Sequence, residues 1–137
     1  MKTVLSALTT WSGCRAARWY LERSSRRDSE HFGGRIHLTA LWNHGAAFGL
    51  NIPKAWLNAA SVGVLAALLT QKKEHPVAVG LIFGGGISNL QERITEGKVY
   101  DYVRFPKAPG RFKRYVYNLA DLAIFLGGMG LLLRKRK

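Results

Sequence analysis

Two acids draw attention because an apolar helix would carry each of them into or beside a low-dielectric interior. Asp121 interrupts residues 115–133, which are otherwise uncharged, and Glu92 directly follows residues 76–91, which hold no charge at all. A carboxylate inside an apolar helix costs several kcal/mol unless it is protonated, paired or close to water. Each acid has an asparagine three residues before it, Asn89 and Asn118, and that spacing puts both on one helix face. Helices joined by one loop run antiparallel, so the end of the first and the start of the second share a side. Glu92 and Asp121 are therefore expected at similar depth, with Asp121 roughly two turns inside its helix. Two carboxylates in such a site share one proton. One can then take a proton from water while the other polarises a carbonyl, which is the chemistry of aspartic proteolysis. A plainer reading stands beside it: Glu92 pairs with its neighbour Arg93 at a helix end, and Asp121 pairs with Arg93 or Arg114 only to satisfy its charge.

The elements that would position these acids follow from how charge is distributed. The chain has 137 residues, with 21 Lys and Arg against 8 Asp and Glu and a formal net charge of +13. Residues 55–71 and 76–91 carry no charge and residues 115–133 carry only Asp121, while the charges crowd between these runs and at the basic tail, residues 134–137. A soluble basic domain would mix charge into every helix face with a period of 3.6. These runs are apolar all round. They measure about 24–29 Å as helices, within reach of a ~30 Å hydrocarbon core once polar flanks and snorkelling arginines are added. Residues 3–14 are also uncharged, before Arg15, Arg18 and the interfacial Trp19 and Tyr20, which reads as a first membrane helix. The expected fold is an all-α polytopic membrane protein of about four transmembrane helices, one unit over residues 1–137. The turn at residues 71–75 and the basic tail fall on one side, taken as cytoplasmic.

Two stretches do not read as helix. Residues 97–105 and 33–42 alternate apolar and polar positions and are rich in β-formers, the pattern of strands. Both belong to the other side, where they are expected to pair as a small outer β element, with Pro106 and Pro109 ending the second strand. Gly80 and Gly84, extended by Gly85 and Gly86, form a small-xxx-small stripe that lets helices approach closely. No Lys-Ser/Thr follows at the spacing a phosphate loop needs.

Other chemistries are excluded or disfavoured. A single cysteine, Cys14, excludes a disulfide scaffold and a four-cysteine zinc site. The four histidines lack helical ligand spacing, so neither a metal nor another cofactor is expected. Arg111, Phe112, Lys113, Arg114 and Tyr115 interleave base-stacking aromatics with cations, but anionic lipid accounts for these charges equally well, and no nucleic-acid partner is expected.

Four segments together resemble the signal peptidase II family of lipoprotein signal peptidases. Residues 43–49, Asn-His-Gly-Ala-Ala-Phe-Gly, resemble its Asn-x-Gly-Ala-Ala-Phe-Gly motif, and residues 85–93, ending in Gln91, Glu92 and Arg93, resemble its Gly-Gly-x-x-Gly-Asn-x-x-Asp-Arg motif. Residues 97–102, Gly-Lys-Val-Tyr-Asp-Tyr, resemble its Gly-x-Val-x-Asp-Phe strand, and residues 117–121, Tyr-Asn-Leu-Ala-Asp, resemble its Phe-Asn-x-Ala-Asp motif. The resemblance implies a four-helix inner-membrane aspartic endopeptidase that cuts signal peptides from lipid-modified prolipoproteins, acting as a monomer among membrane lipids with its site toward the outer face. It implies Glu92 and Asp121 as the catalytic pair, with Asn43, Asn89, Asn118 and Arg93 supporting the pair or the substrate. Residues 33–56 and 97–105 would clamp the substrate. The chain departs from the family in carrying a glutamate at position 92 and in lacking the aspartate of the family's first helix, where Arg15 alone stands near the lysine position. A relative that binds lipidated peptides without cutting them is the alternative implied.

Overall fold

The computed structural model describes residues 1–24, 28–45 and 50–133. The second half of the 43–49 motif and the basic tail lie outside the described residues. In chain order the elements are helix α1 (Lys2–Arg23), strands β1 (Ser29–His31) and β2 (Ile36–Asn43), helices α2 (Lys54–Leu68) and α3 (Pro76–Glu96), strands β3 (Val99–Arg104) and β4 (Val116–Tyr117), and helix α4 (Leu119–Leu133). Short 3₁₀ turns at Leu69–Gln71 and Phe112–Arg114 precede α3 and β4.

Helix α3 is the hub. Pro76 starts it, where the missing amide is harmless, and Gly97 stops it in the left-handed conformation at φ 68°, its amide bonding to the Arg93 carbonyl at 3.1 Å. The glycine stripe sets how closely its neighbours approach. A side chain at Gly80 would strike Ser6 and the Thr3 carbonyl of α1, and one at Gly85 would strike the Ala120 carbonyl of α4. Helices α1 and α4 therefore lie backbone to backbone against two faces of α3, while α2 leans Leu65 onto Gly86.

The four strands form one antiparallel sheet in the order β1-β2-β3-β4. The two strands expected from alternation are β2 and β3, and they pair, Trp42 opposite Tyr100 and Leu41 opposite Asp101, past an irregularity between Leu38 and Leu41. Period-2 alternation divides β3 into two faces. Val99 and Asp101 look toward a cleft beside α2 and α4, while Tyr100 and Tyr102 look toward α1, α3 and the start of α4.

Two expectations need correction. Among the described residues no helix is long and apolar enough to cross a membrane. Helices α2 and α4 have 15 residues each, about 22 Å at ~1.5 Å per residue. Helices α1 and α3 have 22 and 21 residues but carry Arg15, Arg18 and Glu22, and Glu92, Arg93 and Glu96, respectively. The fourth helix also starts at Leu119, because residues 116–117 join the sheet, so Asp121 lies in its first turn and not two turns inside.

Candidate active site

Asp121 owes its position to the way α4 begins. The Asn118 side-chain oxygen accepts the Asp121 amide at 2.9 Å, and the Asp121 carboxylate accepts the Asn118 amide at 3.0 Å. This reciprocal pair is a capping box, satisfying amides that the first turn of a helix leaves without partners. The other Asp121 oxygen accepts the Asn89 side-chain amide at 3.0 Å. Asn89 comes from α3, where it is buried beside Ser88 and Glu92.

The second carboxylate of this arrangement is Asp101 of β3. It is 3% exposed. One of its oxygens accepts the Asn118 side-chain amide at 3.0 Å, and the other accepts the Asn43 side-chain amide at 3.1 Å. Asn43 is fixed in turn by the Gly45 amide, 2.9 Å from its oxygen. The Asn118 side-chain amide also donates to the Asn89 oxygen at 2.9 Å. Three asparagines from β2, α3 and the α4 cap thus tie Asp101 and Asp121 into one network, with Asn118 touching both acids.

Asp101 and Asp121 line the same cleft of about 950 Å³, together with Asn43, Asn89 and Arg93. The rest of the wall is largely apolar and includes Leu57, Val64 and Leu65 of α2 and Leu122 and Phe125 of α4. The Arg93 Nε is buried and has no hydrogen-bond partner among the described residues. Burial, and after it the charge of Asp121, push the Asp101 carboxyl up to about 7, although the bonds from Asn43 and Asn118 pull the other way. Behind the strand, burial raises the Tyr102 phenol, whose oxygen accepts the Leu119 amide at 2.9 Å.

Glu92 is not part of this cleft. It is 5% exposed on the opposite side of β3, in a narrow void it shares with Cys14, Arg18, Tyr100 and Tyr102. One of its oxygens accepts the Tyr100 amide at 2.9 Å, and the other faces Arg18 at 3.4 Å and Arg15 at 3.7 Å. The expected pairing of Glu92 with Asp121 therefore gives way to a different one. Glu92 continues the row of Gly80, Gly84 and Ser88, four residues apart, whose glycines face α1, while the strand that follows brings Asp101 to the Asp121 side. Asn43, Asn89 and Arg93 line this cleft, whereas Asn118 lines the void behind the strand and bonds from there to both acids. Asp101 was missed although it stands inside a recognised segment. Its signal was an acid flanked by Val99, Tyr100, Tyr102 and Val103 in a strand too apolar to carry a charge for solubility. Among the described residues no group of three or more His, Cys, Asp or Glu is placed to hold a metal ion.

The arrangement presents two carboxylates, held by side-chain amides, at the wall of an apolar cleft. The family model described as signal peptidase (SPase) II matches residues 15–135, and the chain belongs to that family. A lipoprotein signal peptidase of Syntrophomonas wolfei is 39% identical over 121 residues, covering 83% of this chain and 75% of that protein. One of Desulfitobacterium hafniense is 38% identical over 106 residues, covering 72% of this chain but only 66% of the relative's own length. Two solved structures, both titled as bacterial membrane enzymes, share the fold at 20% identity: one has a TM-score of 0.83 over 96% of this chain and 85% of its own, the other 0.81 over 98% and 94%.

Proposed function

We propose that this chain is an aspartic endopeptidase that removes the signal peptide from lipid-modified prolipoproteins, with Asp101 and Asp121 as its catalytic carboxylates. One observation carries the reading: Asn118 donates its side-chain amide to Asp101 and its backbone amide to Asp121, so two acids from distant segments are presented together at one cleft. The relatives' name supplies the substrate class.

Asp101, held up near 7, carries the shared proton, and Asp121 acts as the base. A water between them loses a proton to Asp121 as its oxygen bonds to the scissile carbonyl carbon, while Asp101 gives its proton to the carbonyl oxygen. The tetrahedral adduct collapses when the proton on Asp121 passes to the amide nitrogen and the carbon–nitrogen bond breaks. A hydroxyl of the adduct returns its proton to Asp101, leaving a carboxyl and an amine. Asn43, Asn89 and Asn118 hold the carboxylates without neutralising them, because an amide donates a hydrogen bond but no charge. The buried Arg93 Nε is available to a backbone carbonyl of the substrate.

The apolar surface supports a membrane setting. Trp56 of α2 is 73% exposed, Phe125 of α4 60% and Leu132 82%, and large exposed apolar patches mark contact with lipid or a partner. This surface, with the family's membrane setting, supports reading the chain as a protein of the bacterial inner membrane, with the sheet and the cleft's polar end toward the outer face. The testing experiment is cleavage of a diacylglyceryl-modified prolipoprotein by purified protein in detergent. Asp121→Asn and Asp101→Asn are expected to bind substrate and fail to cut it. Cleavage by either at the wild-type rate would refute the assignment.

A further inference from the structure

Glu92 and Arg18 form a latch on the back of the sheet, away from the cleft. Glu92 accepts the amide of Tyr100, the residue before Asp101, at 2.9 Å. Strand β4 pairs with β3 only at Val103 and Arg104, so near Asp101 a side chain of α3 helps fix the strand's backbone. Glu92 is held in place by Arg18, whose side chain is only 8% exposed. The Arg18 guanidinium also bonds to Glu96 at 2.8 Å and lies 3.5 Å from Glu22. Its guanidinium carbon lies over the Trp42 ring, 5.2 Å from the ring centre, and Trp42 precedes Asn43, the other amide donor to Asp101. One arginine of α1 therefore touches the residue before Asn43 and, through Glu92, the residue before Asp101.

We propose that Glu92 and Arg18 are positioning residues: together they set where β2 and β3 present Asn43 and Asp101 to the cleft, without touching the reacting atoms. This rests on the assignment of Asp101 as a catalytic carboxylate. A glutamate suits the task because its carboxylate must reach both a strand amide and a guanidinium on the neighbouring helix. The buried Glu92 carboxylate is answered by Arg18 and Arg15, and Arg18 by Glu92, Glu96 and Glu22, so the latch is a network anchored on α1 and α3.

The test is single-turnover cleavage of a diacylglyceryl-modified prolipoprotein by the purified full chain in detergent, with substrate affinity and melting temperature measured alongside. Glu92→Gln keeps an oxygen for the Tyr100 amide but loses the ion pair; Glu92→Ala loses both. Since a displacement of about 1 Å costs ~100-fold in rate, Glu92→Ala is expected to cut roughly 100-fold more slowly and Glu92→Gln roughly tenfold, each with substrate affinity within about twofold of wild type. The double variant Glu92→Gln/Arg18→Met, which removes both halves of the latch, is expected to be no faster than Glu92→Gln. A Glu92→Gln rate equal to wild type overturns the proposal, as does a folded Glu92→Gln as inactive as Asp101→Asn, which would make Glu92 a reacting group. Wild-type cleavage by Asp101→Asn would instead overturn the assignment of the catalytic pair, whatever Glu92 does.

Discussion

The two faces of strand β3 hold buried carboxylates in opposite ways. On one face Glu92 meets two arginines and a backbone amide. On the other, the Asp101 carboxylate accepts hydrogen bonds from the side-chain amides of Asn43 and Asn118. Ion pairs with arginines tie the Glu92 carboxylate to helix α1. Amides orient a carboxylate with less bias toward the charged form, so burial and a neighbouring acid can lift its affinity for a proton. Successive residues of β3 thus attach to a fixed ion-pair latch and to a site able to exchange a proton at neutral pH.

The sharpest way to break this contrast is to remove the proton-exchanging groups. Asp101→Asn and Asp121→Asn are each expected to lower the cleavage rate by about 10²–10⁴-fold, the usual range for a general acid or base, while the protein still binds substrate. Product formation followed by gel shift or mass spectrometry measures this.

Asn118 should come next, because it serves both acids. Asn118→Ala removes the bond to Asp101, the bond to Asn89 and the helix cap on Asp121. The lost cap alone should lower stability by about 1 kcal/mol, and the rate should fall by roughly 100-fold as both acids shift. A melting curve and the cleavage assay read the two effects separately.

The pH dependence sharpens the comparison further. Asp101 titrates near 7 in the folded chain against an ordinary value of 3.8. Between those values the native state keeps the proton and the unfolded state releases it. The Asp101 contribution to stability is therefore greatest at the acid end of that window and declines as pH rises from about 4 to 7. Cleavage should fall as pH rises past about 7, when Asp101 loses the proton it must donate. A rate–pH profile checks the second point. Asp101→Asn, compared with wild type in melting measurements from pH 4 to 7, checks the first.

The smallest effect expected is in the scaffold. Gly80→Ala would force a methyl group against Ser6 and the Thr3 carbonyl, costing about 1–3 kcal/mol by overpacking. Its cleavage rate per folded molecule should stay near wild type, since Gly80 is remote from both carboxylates along α3.

Much of this organisation was legible in the sequence. The apolar runs marked the helix cores, the alternation at residues 33–42 and 97–105 marked two strands that do pair, and the spacing of Asn118 and Asp121 placed both on one side of one turn. What was not legible depended on where elements stop. The apolar run from residue 115 concealed two residues that join the sheet, because Val116 and Tyr117 suit a strand as well as a helix. The helix after residue 76 continues through Glu96, and Glu92 falls on its Gly80–Gly84 face, which meets α1. Pairing by depth along two helices could not reveal which side of the intervening strand each acid would face. Asp101 required that third element, since its partners Asn43 and Asn118 are 58 and 17 residues away in the chain.

The most direct measurement is the identity of the product. Purified chain would be incubated with a diacylglyceryl-modified prolipoprotein, with Asp101→Asn in parallel, and the new amino terminus read by mass spectrometry. A wild-type product that begins at the lipid-modified cysteine is expected, and no such product from Asp101→Asn. Equal amounts of that product from both proteins would contradict the assignment of Asp101 and Asp121 as the catalytic pair.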